Sequence, residues 1–254
     1  MKRSAQAIRE FVLSLDLPET GPMFETAAVA EPPTFTGKQE VVAVGAQLTE
    51  FSDKVSAELR PLISNSMLLA QLAANKAAGD AATVLDWYGK YRDVLTNIGW
   101  ATQSNEDRVQ QVSNKNLGVH KAIIPVLTAM LGPAVAAASM IVAVLQGLNE
   151  MDSASPWITL FDRSSQHAHG AKFQISYVDA DKQGEPVISL LACAIEADRT
   201  ITQVLFFKFS AQKAELHTSA TSLGTTASRL NTDKDAIESR VHSFISDFVK
   251  NIEI

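Results

Sequence analysis

The sequence predicts an α+β fold on two observations. Helical spacing of apolar residues dominates up to about residue 150 and returns after Thr232, while a period of two takes over between about 171 and 222. The expected architecture is an N-terminal helical bundle and a central apolar helical hairpin, packed on a four-stranded antiparallel meander and closed by a C-terminal amphipathic helix. With 254 residues and no linker after Lys38, one domain spanning 1–254 is expected. Its parts are an N-terminal helix and surface arm over 1–38, a helical part over 39–150, the sheet over 171–222 and the closing helix over 232–253.

The elements follow in order. Ser4 is placed to cap a short helix whose Ile8, Phe11, Val12 and Leu15 share a face, and Pro18 ends it. Four prolines and two glycines between Leu17 and Lys38 predict an extended surface segment. Val44, Leu48, Phe51, Val55 and Leu59 recur at spacings of three and four and predict a helix from about Gln39 to Arg60. Pro61 suits the first turn of the next helix, which runs to about Ala78. Asp80, after Gly79, can cap a third that carries Val84, Leu85, Trp87, Tyr88, Tyr91, Val94, Leu95 and Ile98. The polar run from Ala101 to Asn116 reads as a loop or an exposed helix.

From Ala122 to Asn149 there is no charged side chain. At about 28 residues the segment exceeds the roughly 20 that span a bilayer, but Gly132 and Pro133 break it into halves of core-helix length. Beyond it, Phe173, Ile175 and Tyr177 alternate with Lys172, Gln174 and Ser176, a half-buried strand. Val187 to Ala197 is apolar on both faces, Ile201 to Phe209 reads as a third strand, and Lys213 to Thr221 alternates as a fourth. The Ser/Thr-rich TSATSLGTTAS is expected to loosen the meander. Strands apolar on both faces need cover on both sides. Thr232 or Asp233 caps the last helix, with Ile237, Val241, Phe244, Ile245, Phe248, Val249 and Ile252 as its stripe.

Composition removes several function classes. The net charge is −6 and the basic residues are scattered, so no nucleic-acid footprint is present. A single cysteine excludes an intrachain disulfide. Arg9, Glu10 and Asp16 interrupt the apolar core that a signal peptide needs, so the chain is expected to be cytoplasmic as synthesised, with signal-independent secretion or membrane association left open. The phosphate-binding GxxxxGK[ST] loop, GxGxxG, GxSxG and HExxH are all missing from the sequence. Asp179 and Asp181 fall in a turn and read as solvated. No catalytic residue, metal or dissociable cofactor is expected.

Three features remain. Cys193 lies mid-strand on a face shared with Val187, Ser189, Leu191 and Ile195. It reads as a buried hydrophobe, as a nucleophile if a histidine such as His167, His169 or His217 comes near, or as the anchor of a thioester-linked fatty acid. His167 and His169 in SSQHAHG are two apart and would point the same way in a strand, as a metal pair does, or they belong to a polar loop. The 122–149 segment is rich in small residues, Ala134, Ala136, Ala137, Ala138, Ser139, Ala143 and Gly147, which permits close helix contact in a core or in lipid.

DWYGKYRDVLTNIGW (Asp86 to Trp100), the small-residue apolar segment after it and the lone cysteine in a central strand together resemble the Erwinia virulence factor family, bacterial proteins linked to persistence in the insect gut. The resemblance covers most of the chain after residue 39. It implies an α/β fold of unusual topology and a palmitate joined by thioester to a central cysteine, for which Cys193 is the residue in position. The expectation is a virulence or toxin-like protein, without enzymatic turnover, whose partner is a membrane or lipid. Its site would be Cys193 for attachment, with Leu191, Ile195, Leu131, Val135, Met140 and Val144 as acyl-pocket or membrane-active residues. One acyl chain alone binds membranes marginally, so the 122–149 segment would be the second apolar element. A cysteine-dependent enzyme and a binding or assembly module are the other readings, and the oligomeric state is not read from the sequence.

Overall fold

A mixed sheet of eight strands runs through the centre of the computed structural model, which describes residues 4–19, 33–78, 84–111, 117–167, 170–196, 201–208 and 215–252. The strands are β1 (Glu40–Val44), β2 (Gln47–Phe51), β3 (Ala101–Gln111), β4 (Gln166–His167), β5 (Gly170–Ala180), β6 (Pro186–Glu196), β7 (Glu215–Gly224) and β8 (Val249–Asn251). Their order is β3-β7-β6-β5-β2-β1-β8, with β4 attached to β5. Every pairing is antiparallel except β2 with β5. The helices are α1 (Ala5–Ser14), α2 (Leu59–Ala78), α3 (Val84–Asn97), α4 (Val119–Leu131), α5 (Pro133–Ala138), α6 (Met140–Gly147), α7 (Pro156–Ser165) and α8 (Ala227–Phe248).

The four-stranded meander is therefore replaced by a larger mixed sheet, and the differences have local causes. The expected helix over 39–60 is the β1–β2 hairpin. Val44 and Leu48 face opposite sides of the sheet and join different apolar clusters, so their spacing of four was not a helical stripe. The β-branched run in EVVAV favours extended backbone, and Gly45, at φ +55°, makes the turn that a Cβ would oppose by meeting Gln71 Oε1 at 2.7 Å. With residues 41–52 all buried, neither face kept the polar alternation that marks a strand.

The polar run after Ala101 is the edge strand β3, whose exposed side chains from Ala101 to Glu106 suit an unprotected edge. The apolar run from Ile201 is not a strand. Both edges of β6 are occupied, by β5 and β7, and 201–208 instead turns across one face with Ile201, Val204 and Leu205 buried. The TSATSLG stretch does not loosen but stays within β7 through Gly224. Thr226 caps α8, its Oγ1 accepting from Arg229 N–H, rather than Thr232 or Asp233. Val249 and its neighbours leave that helix as β8 and pair with β1.

Ser4 caps α1, accepting from Ala7 N–H at 3.2 Å. The Asp80 cap and the part of the arm between 20 and 32 lie outside the described residues. The sheet is covered on both faces. One cluster packs α1, α2, α3 and α8 against Val42, Val44, Phe51, Val178, Ile188, Leu190 and Leu223. The other packs α4, α6, α7 and the 201–208 segment against Val41, Ala43, Leu48, Phe173, Ile175, Leu191, Cys193 and Ile195. Fully buried Arg60 joins the start of α2 to the hairpin: it pairs with Glu40, donates to the carbonyls of Ser52 and Val55 at 2.9 and 2.8 Å, and lies over the Phe51 ring.

Candidate functional site

Cys193 sits on β6, opposite Phe173 of β5 and Thr218 of β7. Strand alternation aims its thiol, with Leu191 and Ile195, at the α4–α7 layer, and none of the three is more than 1% exposed. Across from them Ile123 and Leu127 of α4 and Ile141, Val144 and Leu145 of α6 complete the cluster. Phe161 of α7 meets Phe173 edge-on at 5.6 Å. Burial pushes the Cys193 thiol far above its ordinary range, so it is protonated at neutral pH.

The reverse side of the same strand pair is held by Tyr88 of α3. Its hydroxyl lies 2.7 Å from Phe173 O and 2.9 Å from Cys193 O, and it accepts from Cys193 N–H at 3.1 Å. Burial, and then the adjacent Cys193, raise the Tyr88 phenol well above its usual value, which keeps it a neutral donor. The Trp87 ring packs edge-on against Tyr88 and stacks on Tyr91, and Lys172 Nζ sits 4.8 Å over Trp87.

Of the site residues read from the sequence, Cys193, Leu191, Ile195 and Val144 fall in one apolar cluster; Leu131 and Met140 pack against it half-buried, and Val135 is half-buried on α5. His217 does not join them. It is paired with Ala194, so it points to the opposite face of the sheet from Cys193 and cannot serve it as a base. The His167 side chain and all of His169 lie outside the described residues. Asp179 is not simply solvated: it accepts from Ser52 Oγ at 2.6 Å and Lys54 Nζ at 2.9 Å, and although burial raises its carboxyl, these bonds outweigh that and lower it. Asp181 shapes the turn by accepting from Gln183 and Glu185 N–H.

Three side chains to which the sequence reading gave no part in the cover over Cys193 hold it in place. Glu50, fully buried on β2, accepts from Ser139 Oγ at 2.6 Å, from the N–H groups of Met140 and Ile141 at 3.0 Å and from Gln39 Nε2 at 2.7 Å, closing the N-terminus of α6. Asp162 of α7 accepts from Val204 N–H at 2.8 Å, and burial pushes its carboxyl up to about 6. His120 Nδ1–H donates to Leu205 O at 2.9 Å, and Val119 N–H donates to Phe207 O at 2.9 Å, so the 201–208 segment is tied to both α4 and α7. A helix expected over 39–60 hid Glu50, since only the strand aims it at α6.

No protein-family model and no curated protein sequence matches the chain. Solved structures similar to it include a delta-endotoxin, at 18% identity over 79% of this chain and 91% of that one, with a TM-score of 0.40. The activated Cyt2Ba monomer from Bacillus thuringiensis subsp. israelensis is similar at 11% identity over 71% and 96% of the two chains, TM-score 0.40. The Evf virulence factor is similar at 10% identity over 96% and 91%, TM-score 0.35. The structures that resemble this chain thus include toxins and a virulence factor, at low identity. Among the described residues, no helix is long and apolar enough to cross a membrane.

Proposed function

We propose that this chain is a virulence or toxin-like protein that acts at membranes without enzymatic turnover, through the α4–α6 layer and with Cys193 beneath it as the attachment point for a fatty acyl chain. The observation that supports this reading is the outward side of that layer. A helix on the surface of a globular protein ordinarily carries charge on its solvent side. Here the exposed positions include Pro125, Ala129, Pro133, Ala134, Ala137 and Ala143, and no ionisable residue occurs from Ala122 to Asn149. Such a surface loses little on entering the boundary between headgroups and acyl chains.

The helices α4, α5 and α6 are too short to span a bilayer as they stand, so the reading is one of lying in the interface. Glu50 fixes the first turn of α6 to the sheet, while the bonds of the 201–208 segment run within the cover to α4 and α7, and lifting of the cover would expose the Leu191–Cys193–Ile195 face to lipid. An acyl thioester at Cys193 would need the same opening, because the thiol is fully buried. The test is vesicle flotation with the purified chain and with Ala134→Glu and Ala137→Glu, which add charge at exposed positions. Association of the parent chain and its loss in both variants, with unchanged thermal stability, is the expected outcome. Failure of the parent chain to float with either neutral or anionic vesicles would overturn the reading in favour of a binding or assembly module.

A further inference from the structure

We propose that Glu196, Glu215 and His217 form a binding site for a divalent cation of the zinc type, on the sheet face opposite Cys193. Register brings the three together. Glu196 of β6 is the direct partner of Glu215 of β7, and His217, two residues along, is the partner of Ala194. All three side chains therefore leave the same face at the ends of two adjacent strands, and the small Ala194 leaves the imidazole room to lean toward the carboxylates. One nitrogen and two carboxylate oxygens, one from each residue, all lie within 4.8 Å of one another.

The spacings fit a shared ion better than direct hydrogen bonds. His217 Nε2 stands 3.8 Å from Glu196 Oε1 and 3.6 Å from Glu215 Oε2. An N–H···O bond closes at about 2.7–3.2 Å. Tetrahedral ligand atoms on zinc, with bonds of about 2.0–2.2 Å, stand about 3.3–3.6 Å apart. His217 Nε2 is inaccessible to solvent and makes no hydrogen bond, although its ring as a whole is 26% exposed. A solvent-inaccessible nitrogen with no hydrogen-bond partner, facing two carboxylates, offers with them three ligand atoms to an ion, with a water for the fourth position. One imidazole and two carboxylates make a neutral complex with only the carboxylate charges to balance, which suits a dication. Lys172, in the same cross-strand row on β5, is turned over Trp87. Binding would join the ends of β6 and β7.

The experiment uses the full chain, stripped with a chelator and titrated with Zn²⁺ by calorimetry and with Co²⁺ by visible absorption. Expected are one equivalent of Zn²⁺ bound, an intense tetrahedral cobalt band, loss of both in His217→Ala and at least about a 10-fold weaker affinity in Glu196→Gln, a change that keeps the side-chain shape. The exposed His242→Ala should bind as the parent does. No saturable uptake, or the same affinity in His217→Ala and Glu196→Gln as in the parent, would overturn the site and leave His217 packed between two carboxylates with no metal.

Discussion

The Glu50 carboxylate reaches from the middle of the sheet to Ser139 Oγ at 2.6 Å and so holds the first turn of α6. Two backbone N–H groups of that turn end on the same carboxylate. Glu50→Ala would leave those donors buried and unpaired, at a cost of about 3 kcal/mol. Glu50→Gln keeps the volume but turns an NH₂ toward some of the donors, at about 1–3 kcal/mol. Thermal unfolding checks both. If lifting of α6 accompanies membrane engagement, the Gln variant should also float with vesicles more readily than the parent; equal flotation separates the latch from the membrane step.

Asp162 makes stability depend on pH with a definite sign. Its carboxyl is raised from 3.8 to about 6 by burial, so between those values the folded protein holds a proton that the unfolded chain has released. The stability this contributes is complete below about pH 4 and is lost as pH rises through about 6, a difference of at most about 3 kcal/mol, reduced by the solvent that reaches the carboxyl. Asp162→Asn retains an oxygen for Val204 N–H and removes the charge. Its stability relative to the parent should rise from pH 4 to pH 7, read from urea midpoints at the two values. A flat difference would mean that the carboxylate is solvated.

Cys193 should be silent toward a thiol reagent in the native protein, where it is buried, and after denaturation the acylated chain should react only once neutral hydroxylamine has freed the thiol. Intact mass before and after neutral hydroxylamine tests acylation directly. Under the proposed function, the native protein carries an excess of one fatty acyl group that hydroxylamine removes and that Cys193→Ser lacks. A mass equal to the bare chain returns Cys193 to the packing of the core and leaves the α4–α6 surface to act alone.

Tyr88→Phe should cost about 1–3 kcal/mol, because the hydroxyl meets backbone groups of both β5 and β6 in a buried place. Hydrogen exchange should localise the loss to the amides around Phe173 and Cys193. Uniform loss across the sheet would instead mean that the phenol contributes to global packing only.

Long helices were legible because their stripes persist over several turns: the capped α1, α2 behind Pro61, the aromatic face of α3, and Ile237, Val241 and Phe244 of α8. The β5 and β6 strands were legible through their alternation and apolar run. The β1–β2 hairpin was not, since burial on both faces erased its period and left spacings that mimic a helix. The edge strand β3 is polar for the same reason that it looked like a loop. The 201–208 segment has strand composition, but both edges of the preceding strand β6 are already taken by β5 and β7. Within the site, the apolar company of Cys193 was readable from residue type. The side of the sheet on which each histidine lies was not, because register depends on pairing across the chain.

The pairing of β1 with β8 joins Val44 to Val249, and Val42 to Asn251. Ribosomes add roughly 5–20 residues per second, so ~10–40 s pass between the synthesis of the two partners. The parallel pairing of β2 with β5 waits too, with Thr49 opposite Ser176. Throughout that interval the nascent hairpin, whose residues 41–52 are all destined for burial, has little to bury them against. Such high contact order slows folding and invites intermolecular strand addition. Production of this protein should therefore depend on chaperones that shield nascent chains, and slow, cool expression should improve the yield of the native sheet.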